Sequence, residues 1–184
     1  MSPLSVIGYI WDSSYERGMD QLIDGQFDVA VQTFSEAKGG AREMASAQYA
    51  KGLCLLYGIG GVKKDENMAQ YLLKKASEAD DAPSIQRLAN YVLGVHYAER
   101  KKYIAYDKDA EYYLEKSALA GYALAQYKLG MYYMDLSGMN ENMEAKAVKW
   151  LKNAQGNASQ LSAEVQNEIN DKLEVILQEK VVAD

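Results

Sequence analysis

The sequence contains little cysteine, histidine, proline or phenylalanine. Its 184 residues include one Cys, one His, two Pro and two Phe. A single cysteine excludes an internal disulfide framework, and the scarcity of proline favours long, uninterrupted helices. One Cys and one His provide too few soft ligands for a zinc site, which takes three or four. No apolar run approaches the ~20 residues of a membrane-spanning helix.

The chain also lacks an excess of positive charge and the common catalytic motifs. Its net charge is −6 and its pI is about 4.9, so phosphate backbones repel it and nucleic-acid binding is not expected. The HExxH, paired CxxC and GxSxG patterns are absent from the sequence. We therefore predict a protein that is not an enzyme and that carries no cofactor and no metal.

What the sequence does contain is a phrase that recurs. It reads AQYAKG at 47–52, ANYVLG at 89–94 and AQYKLG at 125–130, with offsets of 42 and 36 residues. A small residue follows each glycine after a loop, at Ala69, Ala110 and Ala147. Repetition at this period is typical of stacked supersecondary units. The pattern predicts a helix, a loop and a second helix, three times over.

Two further segments flank these units. Residues 15–40 contain Gly25, Phe27, Ala30 and Phe34, which suit a fourth helix pair. Residues 159–179 place Leu161, Val165, Ile169, Leu173 and Ile176 on one face, as expected of a helix that closes the array, with Asn157 or Ser159 as its cap. We predict one all-α domain over 1–184, made of a helix pair (15–40), three repeats (45–80, 85–121 and 123–156) and the closing helix.

These residues resemble the Sel1-like repeat, a relative of the tetratricopeptide repeat. The residues that carry the resemblance are Ala47, Gly52, Gly58, Gly60, Val62, Asp65 and Ala69 in the first unit, Ala89, Leu93, Gly94, Tyr97, Ala110 and Tyr113 in the second, and Ala125, Leu129, Gly130, Tyr133, Ala147, Trp150 and Ala154 in the third. The second and third loops lack the family's GxGV phrase. The 15–40 segment is more similar to an ordinary tetratricopeptide repeat.

The resemblance implies a right-handed α-solenoid whose first helices line a concave groove. Family members are mostly adaptors and scaffolds, in bacteria around secretion, virulence and envelope assembly. The partner-binding groove positions implied for this chain are Tyr15, Met19, Leu22, Tyr49, Leu53, Leu56, Tyr57, Tyr91, Val95, Glu99, Tyr127, Met131, Met134 and Asp135. The expected partner is another protein or a peptide segment, and a basic one would suit the acidic rim at Glu99 and Asp135.

Several alternatives stay open. The groove tyrosines can instead pack between neighbouring repeats, in the core. The function can instead be that of an inhibitor or immunity protein that neutralises a toxic effector enzyme. A catalytic role would depend on a pair formed by Cys54 and His96, which occupy equivalent repeat positions. We expect a monomer or weak homo-oligomer in the cytoplasm, or in the periplasm or outside the cell if a leader was removed.

Overall fold

The computed structural model describes residues 17, 18, 20, 21, 24, 26–36, 40–100, 105–139 and 141–183. Helices dominate these residues, and no strand occurs among them, so the predicted all-α class is confirmed. The helices are α1 (Phe27–Ser35), α2 (Ala41–Tyr57), α3 (Glu66–Ser77), α4 (Pro83–Glu99), α5 (Lys108–Leu119), α6 (Ala123–Asp135), α7 (Glu141–Gly156) and α8 (Ala163–Ala183).

The chain divides into two compact units, residues 1–93 and 94–184. In the first unit, α2 packs against α1 and against α3. In the second unit, α6 packs against α5 and α7, and α7 packs against α8. The helix pairs predicted from the first and third phrases are therefore α2 with α3 and α6 with α7. The handedness of the solenoid and its extent as one domain stay predictions.

The glycine of each recurring phrase lies where two helices approach closely. Without a Cβ atom, these positions let a leucine of the following helix pack against the backbone. An added Cβ would lie 2.9 Å from Leu73 Cγ at Gly52, 2.6 Å from Leu114 Cγ at Gly94 and 2.8 Å from Leu151 Cγ at Gly130. The phrase therefore recurs because each helix pair has the same close contact.

The loop of the first repeat is closed by glycines in left-handed conformations. Gly58, with a φ of 66°, ends α2, and Gly60 has a φ of 69°. A Cβ at Gly60 would lie 1.8 Å from Phe27 Cγ, so this glycine also makes room for α1. The Asp65 carboxylate then starts α3 by accepting the Met68 N–H at 2.9 Å.

The closing helix begins later than its sequence indicated. Residues Ala158–Gln160 form a 3-10 turn, and α8 starts at Ala163. Ser162 Oγ accepts the Val165 N–H at 3.4 Å, so the expected cap at Asn157 or Ser159 is wrong. The Asn157 side chain is engaged elsewhere, because its Nδ2 donates to Gln126 Oε1 at 2.9 Å.

Candidate functional site

Of the predicted groove positions that the structure describes in the first unit, most are buried. Tyr49, Leu53, Leu56 and Tyr91 have almost no exposed surface. Tyr57, one helical turn beyond Leu53, is 39% exposed. Among these five described positions, Tyr57 has surface to offer a partner, while the other four fill the interior.

In the second unit, the closing helix covers part of the predicted stripe. Tyr127 is buried in one cluster with Leu151 of α7 and with Val165 and Ile169 of α8. Its hydroxyl donates to Glu168 Oε2 at 2.6 Å. Burial, and then Glu168, raise the pKa of Tyr127 above its usual value. These contacts show that Tyr127 packs inside the second unit, as the alternative interpretation of the groove tyrosines predicted.

The remaining groove positions differ in exposure. Met131 and Met134 are half-buried and pack against the Tyr127 cluster, and Val95 is half-buried. Glu99 and Asp135 are exposed, at the same register position of α4 and α6. Tyr15, Met19 and Leu22 lie outside the described residues. Among the described groove positions of the second unit, Glu99 and Asp135 are therefore the fully exposed ones, and both are acidic.

A polar cluster that the sequence did not reveal lies in the second unit. The Glu111 carboxylate accepts the Tyr106 hydroxyl, the Tyr133 hydroxyl at 2.5 Å and the Lys146 ammonium at 3.0 Å. We call these four residues the Glu111 cluster. Burial alone would raise the pKa of Glu111, but the hydrogen bonds from Tyr106, Tyr133 and Lys146 lower it.

A second set of polar contacts surrounds the neighbouring Asp107. Its Oδ1 caps α5 by accepting the N–H groups of Asp109 and Ala110 at 2.9 and 3.2 Å. Its Oδ2 pairs with Arg100 at 3.2 Å, and its backbone N–H donates to the Tyr132 hydroxyl at 2.6 Å. Of two successive tyrosines of α6, Tyr132 therefore holds the end of the loop that precedes α5, and Tyr133 holds Glu111 in the first turn of α5.

The one catalytic pair considered from sequence finds little support. Burial raises the pKa of the Cys54 thiol to about 11, so the reactive thiolate is scarce at neutral pH. His96, the other member of the pair, is half-buried. Within the part of the chain that the structure describes, no three His, Cys, Asp or Glu side chains converge as metal ligands.

Of the helices in the described ranges, none combines the length with the apolar character that crossing a bilayer requires.

Comparison with known proteins identifies the repeat. A family model described as the Sel1 repeat matches residues 45–81, 87–122 and 123–154, which together make up more than half of the chain. Neither the curated proteins nor the solved structures gave a match. The three consecutive matches confirm the resemblance drawn from the recurring phrase. The glycine contacts, the helix pairs and these matches agree, and the chain belongs to the Sel1 repeat family.

Proposed function

We propose that this chain is a non-catalytic adaptor or scaffold that binds a partner protein or peptide in the groove formed by the first helices of its repeats. The observation that carries the proposal is the run of three consecutive Sel1 repeats, since such repeats generally mediate protein–protein interaction. The burial of the Cys54 thiol supports a binding role over a catalytic one.

The exposed part of the predicted groove defines the partner that we propose. Tyr57 provides aromatic surface, which makes large contacts at a low cost in side-chain entropy. Met131 and Met134 provide adaptable apolar surface beside the exposed carboxylate of Asp135. Apolar side chains of a partner suit Tyr57, and apolar side chains together with basic ones suit the surface of Met131, Met134 and Asp135 in the second unit.

The test is capture of partners from the native host by the full chain. We expect Tyr57→Ala, and separately Glu99→Lys with Asp135→Lys, to lose a protein that the wild type retains. Tyr71→Ala is the matched control, because Tyr71 lies on a second helix and is 57% exposed, against 39% for Tyr57. Equal recovery by the Tyr57 and Tyr71 variants would contradict groove binding.

The alternative of an inhibitor or immunity protein predicts a different outcome in the same preparation. A toxic effector enzyme would be recovered as a tight 1:1 complex that survives gel filtration, and adding the chain would abolish the effector's activity. An adaptor is expected to recover a partner without inhibiting it.

The cytoplasm is the compartment that we propose for this chain. Fractionation of host cells tests this proposal.

A further inference from the structure

The loops of the first two repeats are closed in different ways. The first loop bonds to its own backbone, with the Gly61 N–H donating to Gly58 O at 3.2 Å and the Asp65 N–H to Leu55 O at 3.1 Å. The segment between Glu99 and Asp107 contains no glycine. Its end must therefore be held by something other than glycine turns.

Glu111 of α5 and Tyr132 of the third repeat supply that hold. Tyr106 and Asp107 form the end of the loop, and both bond to groups outside it. The Tyr106 hydroxyl donates to Glu111, which also accepts from Tyr133 of α6 and Lys146 of α7. The Asp107 backbone bonds to Tyr132 in both directions, because its N–H donates to the hydroxyl and its carbonyl accepts from it at 3.1 Å.

The hydrogen bonds of Tyr132 and Tyr133 are shielded from solvent, whereas Tyr106 is 44% exposed and its bond to Glu111 lies at the surface. Tyr133 is fully buried, Tyr132 is nearly so, and the Glu111 side chain is only 17% exposed. Hydrogen bonds to a charged carboxylate are stronger than those between neutral groups, and shielding from water strengthens them further. The Lys146 ammonium also lies 4.9 Å from the centre of the Tyr133 ring, which adds a cation–π contact.

We infer that the Glu111 cluster acts as a latch: it holds the loop end Ala105–Asp107 of the second repeat to α6 and α7 of the third, so that loss of the Glu111 carboxylate releases this loop end while the helices stay folded. Glu111 acts as the positioning residue, since one carboxylate joins the loop to both helices. The first repeat has no counterpart of this latch in its own loop, because its glycines close that loop locally. The inference is independent of the proposed binding function.

Hydrogen exchange of the full chain, followed by NMR, tests the latch. The reporters are the amides of Asp107, Asp109 and Ala110, which donate to Tyr132 and to the Asp107 carboxylate. In Glu111→Gln we expect them to exchange about tenfold faster, the change that corresponds to weakening charge-assisted hydrogen bonds. The Gly61 and Asp65 amides of the first loop should exchange as in the wild type.

Two further variants complete the design. Glu115→Gln makes the same change one turn later on α5, at an exposed side chain, and should leave the reporters unchanged. Tyr133→Phe removes only the hydroxyl and should reproduce the local effect, which decides the question if Glu111→Gln does not fold. Unchanged reporters in Tyr133→Phe, or equal acceleration in both loops, would overturn the latch.

Discussion

Single glycines decide how closely the helices of a repeat pair approach. At Gly94 an added Cβ would lie 2.6 Å from Leu114 Cγ and 2.7 Å from the Leu114 backbone nitrogen. A side chain can rotate away from such a contact, but a backbone atom of a packed helix cannot. Even the single methyl group of an alanine at this position should therefore lower the free energy of unfolding substantially.

We predict that Gly94→Ala lowers the free energy of unfolding by about 2–3 kcal/mol, through overpacking. Gly156→Ala is the matched control, because a Cβ there meets nothing within 4 Å and the residue lies within α7. It should raise the free energy of unfolding by about 0.5 kcal/mol, through reduced freedom of the unfolded chain. Urea denaturation measures both changes, and equal effects would refute the close-contact argument.

Between helices, buried tyrosines donate hydrogen bonds to carboxylates of a neighbouring helix. Burial and then Glu111 raise the pKa of Tyr133, as burial and Glu168 do for Tyr127. The pKa of each is therefore higher in the folded chain than in the unfolded chain, where tyrosine titrates at about 10. Their stabilising effect is complete below that pH and is lost above it, because the unfolded chain releases its phenolic protons first.

We therefore predict that the free energy of unfolding falls above pH ~10, with each of the two tyrosines contributing about 1 kcal/mol of the fall by pH ~11. Other groups also titrate in this range, so the informative quantity is the difference between variants. Tyr127→Phe and Tyr133→Phe should each flatten the pH dependence, whereas Tyr112→Phe, at an exposed side chain of α5, should not. Denaturant titrations at several pH values measure the free energy of unfolding of each variant. If it depended on pH in the same way in all variants, the prediction would be wrong.

For the whole molecule, α8 is the element that covers the third repeat. Its inner face buries Val165, Ile169 and Leu173 against α6 and α7, while Glu164, Asp171 and Glu174 are exposed. A terminal element with a polar outer face prevents further stacking. We therefore expect the full chain to be monomeric at micromolar concentration, with a mass near 20.5 kDa.

Detaching α8 from the third repeat should change the oligomeric state of the chain. Ile169→Asp places a charge in the cluster around Tyr127, so we predict that α8 is released and that the exposed apolar face of α6 and α7 drives self-association. Val175→Asp, at a half-exposed position of the same helix, should remain monomeric. Sedimentation analysis distinguishes the two, and a monomeric Ile169→Asp variant that has lost helix content would contradict the prediction.

Much of this architecture was predictable from local patterns. The phrase ending at Gly52, Gly94 and Gly130 indicated the helix pairs because its glycines occur where helices touch. The four-residue spacing from Leu161 to Leu173 indicated α8, because it places the apolar side chains on one helical face. The start of α8 was misjudged, since several polar residues precede it and a 3-10 turn intervenes before Ser162.

The candidate site was less accessible to the same reasoning. A tyrosine at a groove position is compatible with a partner anchor or with a core residue, and its helical register is the same in either case. Tyr127 is a core residue because α8 packs over it and because Glu168, 41 residues away in the sequence, accepts a hydrogen bond from its hydroxyl. Tyr57 was also predicted as a groove residue, but unlike Tyr127 it is exposed.

The sequence alone determined the all-α class, the three Sel1 repeats and the terminal helix, because each follows from periodicity within a few helical turns. The tertiary structure decided which tyrosines are buried and which carboxylates hold them. Glu111 meets Tyr133 and Lys146, which lie 22 and 35 residues further along the chain, and no local pattern encodes such a meeting. Hydrogen bonds over that separation exist only after the helices have packed, since packing brings the groups together and excludes the competing water.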